Sequence, residues 1–447
     1  MPSSPSPIAS LPITSGLLCQ KFALANGLVL LLTENSIADI VAARIFVGAG
    51  SIREGQQQAG LAYLMAATLT KGTVHFSSAN IAEQVESVGA SLGVERAPDY
   101  FLLSLKSVSS DFLNLLTLAA ELLQRPSFPH HEVALEQKLA LQSILSQQEQ
   151  PFTTALQGLR QSLYPQGHPY AQTGPGDPDA LGQLQSEDLH QYHQAFFRPD
   201  NVVISISGHL AAHQGLQLCQ QVFGDWRVPI PVLSPPNWPR MKASNGQSSI
   251  QPQPRTDARI SVTPQSTQQS IVMLGHLAPA VKEPDYAALK LLYTYLCHGL
   301  SSRLFVNLRE KQGLAYEVSG FYPTRLGPSH FVVYMGTAAD NTAIALQKLQ
   351  AEIDRLCQHP LTPEELETTK RKMLGQYVLG KQSNAQLAHL MGWYEILGLG
   401  ITYDQTFPQQ IANMDSETVH QAACQCLQLS HISLVGSEAA LRPWMHG

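Results

Sequence analysis

The chain has 447 residues, a formal net charge of -6 and 14% charged residues, against about 25% in ordinary soluble domains. No basic run is present, which excludes the electrostatic footprint of a nucleic-acid binder, and no apolar run is long enough for a membrane-spanning helix. Six scattered cysteines, at 19, 219, 297, 357, 424 and 426, form no C-x-x-C pair and read as free thiols in a reducing, cytoplasmic setting.

Residues 1–16 are broken by prolines and lack Lys and Arg; they read as a disordered leader, not a signal peptide. A first domain is expected over 17–228. It opens with two strands between Lys21 and Thr33, turned about Asn26-Gly27, a strong hairpin signal. An apolar strand follows at Ile40–Val47. Gly60–Leu69 has helical spacing, with Leu61, Leu64, Met65 and Thr68 on one side. Ser77–Val88 is an amphipathic helix, residues 89–107 read as paired strands, and Asp111–Leu123 is a helix. After the break at Pro126–Pro129, His130 and His131 start the next helix, where a histidine pair reads as solvated. Leu139–Phe152 is helical, and Leu163–Gly174 is a loop in which His168 packs and hydrogen-bonds. His190 and His193 share one face of the helix Glu187–Phe197. With no third ligand in view, they read as structural.

Proline, serine, asparagine and glutamine then dominate, and periodicity vanishes over 229–256, a linker. A second domain, 257–447, repeats the order of elements. Its strands fall at Ile260–Thr263, Ser270–Leu277, Phe331–Thr337 and Ile432–Val435. Its helices fall at Asp285–Leu296, Asn341–Gln358, Pro363–Leu379 and Ser383–Leu397, the last stopped by Gly398. The repetition reads as an ancient duplication. The fold class expected is α+β: two similar domains, each a mostly antiparallel sheet with helices packed on one face.

Inside the second domain, SSRLFVNLREKQGLAYEVSGFY, Ser301–Tyr322, reads as a helix capped by Ser301 or Ser302 that turns at Gly313 into a strand. Arg309 falls in the last helical turn and Tyr316 at the strand's start. A guanidinium and a phenol stand on either side of a glycine turn, where both could reach one polar target. Locally, Arg309 could equally cap the helix C-terminus and Tyr316 pack.

This stretch resembles the second-domain motif of the pitrilysin/insulinase-type zinc peptidases, and their mitochondrial-processing-peptidase-like branch in particular. The resemblance implies that the Arg and Tyr, seven positions apart, hold substrate near a zinc carried by the first domain. It also implies domains that enclose a chamber when two chains, or two halves, face each other. The family's zinc motif is H-x-x-E-H on a helix after Gly-Leu-Ala. The flanks match here, with Gly60-Leu61-Ala62 before and Lys71-Gly72-Thr73 after. The chemistry does not: Tyr63 and Ala67 stand at the histidine positions and Ala66 at the glutamate position. The third ligand, a glutamate in the later helix, falls on Ser143 when the stretch is anchored on Pro151. Alanine has no lone pair to donate and no proton to transfer, so no metal site is expected in this chain. The edge strand that pairs with substrate in active relatives falls near Gly93.

The resemblance therefore implies a non-catalytic, substrate-positioning subunit of a heteromeric zinc endopeptidase, inactive alone. It would lend Arg309 and Tyr316 to a related, zinc-bearing partner, with a peptide as substrate. The chain itself would hold no cofactor. The alternative is a structural pseudopeptidase, an assembly or peptide-binding protein, pairing with itself as a homodimer and cleaving nothing. A third reading, an active stand-alone peptidase, requires metal ligands elsewhere.

Overall fold

A computed structural model describes residues 7–12, 16–172, 174–227 and 259–445. The linker expected at 229–256 lies outside them. Two sheets organise the chain. The first has the order β1-β2-β3-β7-β4-β6-β5, built from β1 (Ala9–Pro12), β2 (Leu18–Ala23), β3 (Val29–Glu34), β4 (Ile40–Val47), β5 (Ser91–Arg96), β6 (Phe101–Val108) and β7 (Val202–Gly208). The second has the order β10-β11-β9-β12-β8, built from β8 (Ile260–Pro264), β9 (Gln269–Ala278), β10 (Glu317–Phe321), β11 (Ser329–Ala338) and β12 (His431–Gly436). Every pairing is antiparallel except β3 with β7 and β8 with β12. Stripped of β1 and β2, the first sheet has the same strand order and pairing sense as the second. The duplication read from the sequence is thus visible as topology.

The β2–β3 hairpin closes where Asn26-Gly27 places it: Gly27 has φ 91°, and Leu24 N–H donates to Leu28 O at 2.9 Å. One expectation fails in the leader. Ala9–Pro12 is no disordered tail but an edge strand on β2, with Leu11 packed against the cluster that holds Cys19, Leu31 and Phe46. A single apolar side chain gives those residues something to bury.

The helices of the first half are α1 (Leu61–Thr68), α2 (Ser78–Glu86), α3 (Phe112–Gln124), α4 (His130–Gln148), α5 (Pro151–Leu163), α6 (Pro178–Gln183), α7 (Ser186–Phe196) and α8 (Ala212–Phe223). Those of the second are α9 (Tyr286–Cys297), α10 (Thr342–Gln358), α11 (Pro363–Leu379), α12 (Asn384–Ile396), α13 (Tyr403–Asn413) and α14 (Ser416–Cys426). Among the described residues no helix is long and apolar enough to cross a membrane.

The contacts gather into two compact units that interleave along the chain. One takes Met1–Leu141, Pro175–Arg240 and Tyr377–Thr406; the other takes Gln142–Gly174, Met241–Gln376 and Phe407–Gly447. Helix α12, from the second half of the sequence, packs on β4, β7 and β3 of the first sheet. Helix α5, from the first half, packs on β9, β12 and β8 of the second. Each half therefore gives one helix to the other's sheet. Both helices carry a glycine at the closest approach. A Cβ on Gly392 would come within 2.5 Å of the Phe46 ring, and one on Gly158 within 2.6 Å of Ser261 Oγ. Contacts under 3 Å are forbidden to a real side chain, so a hydrogen at these positions is what lets helix and sheet meet.

Candidate functional site

Helix α1 carries the positions at which the resemblance places the metal motif. Its apolar side is fully buried through Leu61, Leu64 and Met65. Its N-terminus is held by Glu54, whose carboxylate accepts the N–H of Ala62 at 2.6 Å and of Gly60 at 3.2 Å. An anion at a helix start is favoured by the exposed N–H groups and the helix dipole. Burial nevertheless dominates at Glu54, 8% exposed, and pushes its carboxyl up to about 7, with the two N–H groups and nearby Arg96 acting against the rise.

Tyr63 projects half-buried from α1, and the Arg96 guanidinium of β5 lies 5.4 Å from the centre of its ring. An arginine over an aromatic face is an electrostatically favourable contact. Ala66 and Ala67, further along the same helix, present only methyl groups. Ser143, on α4, accepts a hydrogen bond from Gln147 one turn on, at 3.0 Å. A zinc ion needs four nitrogen, sulfur or oxygen donors in a tetrahedron. Tyr63, Ala66, Ala67 and Ser143 do not fit that demand. Among the described residues no group of three His, Cys, Asp or Glu side chains is placed to hold a metal.

Four of the histidines singled out in the sequence have protein partners. His193 is buried and donates from Nε2 to Leu123 O at 2.8 Å; burial lowers its pKa to about 4. His190 sits against Phe128, their ring centres 5.0 Å apart. His130 meets Ser186 Oγ at 3.0 Å. His168 stacks on Tyr164 and accepts the N–H of Tyr170 through Nδ1, with burial depressing its pKa.

The Arg309 segment departs from the expected α-helix. Phe305–Glu310 is a π-helical turn in which Lys311 N–H reaches back five residues to Val306 O at 3.0 Å. Such turns are rare and concentrate at functional sites. The π-helical turn starts after Leu304 without a side-chain cap; Ser302 accepts the N–H of Val306 through its backbone oxygen at 3.0 Å, and Ser301 Oγ accepts from Lys372 at 3.2 Å. The inner side is pinned. Leu304 and Leu308 are fully buried. Glu352 of α10 accepts from Arg303 Nε at 2.5 Å and from Asn307 Nδ2 at 3.1 Å. Glu365 and Tyr295 extend that network, Tyr295 donating to Glu365 at 2.5 Å.

The outer side is open. Arg309 is exposed, its guanidinium 4.9 Å from the Phe305 ring centre. Tyr316 is 59% exposed while its backbone N–H is fixed to Gly336 O at 2.9 Å. Among the described residues neither side chain has a hydrogen-bond or ion-pair partner. Tyr316 immediately precedes β10, where Val318 and Gly320 are buried and Glu317 is exposed; the expected alternation holds in the strand, but Tyr316 does not share the buried face. β10 and β5 are both sheet edges, paired only with β11 and β6 respectively among the described strands. On β5, a Cβ at Gly93 would meet nothing within 4 Å.

Comparison with known proteins decides the family. A family model described as insulinase (peptidase family M16) matches residues 29–173, and one described as the peptidase M16 inactive domain matches 183–373. The chain belongs to the M16 peptidase family. An uncharacterized zinc protease of Bacillus subtilis is 23% identical over 381 residues, covering 85% of this chain and 88% of that one. One of Mycobacterium leprae is 24% identical, covering 86% and 83%. A crystal structure titled as the peptidase M16 inactive domain from Pseudomonas fluorescens superposes with a TM-score of 0.82 at 25% identity, covering 94% of this chain and 98% of that one. A protease from Helicobacter pylori superposes at 0.83 and 19% identity, covering 93% and 99%, which bears on the fold alone. The first family match spans α1 and the second spans the π-helical turn.

The sequence motif pointed to Arg309, Tyr316 and the four changed positions, and the structure adds Glu54 and Arg96 beside α1 and Glu352 behind the π-helical turn. Glu54 closes the stretch Gly50-Ser51-Ile52-Arg53-Glu54, where a glutamate ahead of an uncapped helix was the available signal.

Proposed function

We propose that this chain is a non-catalytic, substrate-positioning subunit of a heteromeric zinc endopeptidase, paired with a related chain that carries the zinc motif. The observation that carries the reading is an asymmetry. Arg309 and Tyr316 have fixed backbones and exposed side chains without a hydrogen-bond or ion-pair partner among the described residues, the Arg309 guanidinium resting on the Phe305 ring, while α1 presents a tyrosine and two alanines. Packing residues would be expected to bury their rings or pair their charge. The naming of the relatives as zinc proteases supports the reaction class.

The partner's metal would supply the activated water. The part played by this chain is geometric. The guanidinium and the phenol donate hydrogen bonds to a substrate carbonyl, and hold the charge that collects on that oxygen as it becomes tetrahedral. Donors preorganised for that oxygen are each worth about 3–4 kcal/mol of barrier. The π-helical turn, anchored through Glu352, is what preorganises Arg309.

The reading is tested by isolating the chain from its native lysate and sequencing what comes with it. A stoichiometric partner bearing H-x-x-E-H and all of the zinc supports it. Recovery of a metal-free assembly of this chain alone sinks it in favour of a peptide-binding or assembly role.

A further inference from the structure

We propose that Cys357 and Cys424 form a redox-active pair that closes into a reversible disulfide when the protein meets a peroxide. Cys357 lies in the last turn of α10 and Cys424 in α14, two helices packed against each other in the same unit. Their sulfurs interlock. Cys424 Sγ donates to the Cys357 backbone oxygen at 3.2 Å, and Cys357 Sγ donates to the oxygen of Ala423, the residue before Cys424, at 3.5 Å. Both thiols are free and half-buried, whereas Cys19, Cys219 and Cys297 are buried. The pair is thus reachable by a small oxidant, and each thiol lies against backbone of the helix that carries the other.

The two thiols are not equivalent. His420, one turn before Cys424, donates from Nε2 to the Cys357 oxygen at 3.1 Å and lies 3.6 Å from Cys424 Sγ. The same ring nitrogen thus lies beside the Cys424 sulfur. Among the described residues the Cys357 sulfur has no such donor; burial, Cys424 and Asp354 all push its thiol up, to about 11. The His420 contact makes Cys424 the attacking sulfur in this proposal and Cys357 the resolving one.

The chemistry balances with hydrogen peroxide as the oxidant. The Cys424 thiolate attacks one peroxide oxygen, the S–O bond forms as O–O breaks, and hydroxide leaves to become water. The Cys424 sulfenic acid is then attacked by Cys357 sulfur. The S–S bond forms, S–O breaks, and the departing hydroxide takes the Cys357 proton as a second water. Two electrons pass from the two thiols to the peroxide, and a dithiol reductant reverses the step.

The test is a peptide map of the purified full-length chain after brief peroxide treatment and alkylation. The expected result is one new linked peptide joining Cys357 to Cys424, lighter than the sum of its parts by two hydrogens and abolished by dithiothreitol. In Cys357→Ser, Cys424 should accumulate as a sulfenic acid that a dimedone probe traps, and Cys424→Ser should leave Cys357 unlabelled. Cys424 driven to sulfinic acid without a bridge in the wild-type chain, bridging to Cys426 instead, or no oxidation of either thiol would each overturn the proposal. The wild-type map decides the question even if a serine variant folds poorly.

Discussion

Replacing Glu54 by glutamine should change the pH dependence of stability in a way that can be worked out in advance. Glu54 is almost fully buried against the start of α1, and its carboxyl is raised from 4.5 to about 7, burial being the largest cause. In the unfolded chain it ionises at the lower value. Between these two values the folded state keeps a proton that the unfolded state has lost, so stability falls as pH rises. The full advantage of the protonated form is present below 4.5, erodes across 4.5–7, and is gone above 7. At roughly 1.4 kcal/mol per pH unit the span corresponds to about 3 kcal/mol. Glutamine cannot ionise and should flatten that window. It also turns an NH2 group toward one of the two N–H donors, where the hydroxyl oxygen of the protonated carboxyl can still accept, so at low pH the variant should be less stable by about 1 kcal/mol. The assay is urea unfolding of wild type and Glu54→Gln at a series of pH values from 4.5 to 8. Only the difference between the two curves is read, because His193, His276 and His389, each lowered to about 4 by burial, act in the opposite sense at the acid end. A difference that stays constant across the window would refute the account of Glu54 as a buried carboxyl capping α1.

Glu352→Ala removes the acceptor that Arg303 and Asn307 share. Hydrogen exchange at the amides of residues 305–313 should speed up by roughly 30-fold, the equivalent of about 2 kcal/mol, while α9 stays protected; equal change in both would mean general destabilisation. Gly392→Val would push two methyl groups toward the Phe46 ring and should cost about 3 kcal/mol by thermal or urea unfolding, whereas Gly375→Ala, where a Cβ meets nothing within 4 Å, should not destabilise. Lys381 and Asp404 form an ion pair only 3% and 0% exposed. Lys381→Met should therefore cost about 3–5 kcal/mol by leaving a buried carboxylate without its cation, and unfolding near neutral pH reads the loss.

The sequence carried a good deal of this structure, and the parts it carried share a physical reason. Local rules settle local features. The Asn26-Gly27 turn needs only its own backbone preferences, and Pro363–Leu379 announces itself by an acidic first turn. The loss of metal chemistry at Tyr63, Ala66 and Ala67 is a matter of which atoms are present. What local rules do not decide is the partner of each surface. Periodicity says that α5 and α12 have apolar sides, not which sheet receives them. The choice rests on clearances between residues far apart in sequence, Gly392 against Phe46 and Gly158 against Ser261. The π-helical turn was hidden for a related reason. It differs from an α-helix by one residue of register, and the side chains that hold that register, Arg303 and Asn307, answer to Glu352 some 45 positions away in the case of Asn307. Ala9–Pro12 was misread because proline content outweighed the single leucine that packs.

The central claim is that Arg309 acts on substrate bound to someone else's metal. The direct measurement is kcat/KM for a peptide substrate in the complex reconstituted from this chain and its zinc-bearing partner, comparing wild type with Arg309→Ala and Tyr316→Phe. The account predicts a loss of roughly 100- to 1000-fold for Arg309→Ala, a smaller loss for Tyr316→Phe, and unchanged assembly in both. A complex that assembles and cleaves at the wild-type rate without the Arg309 guanidinium would contradict it.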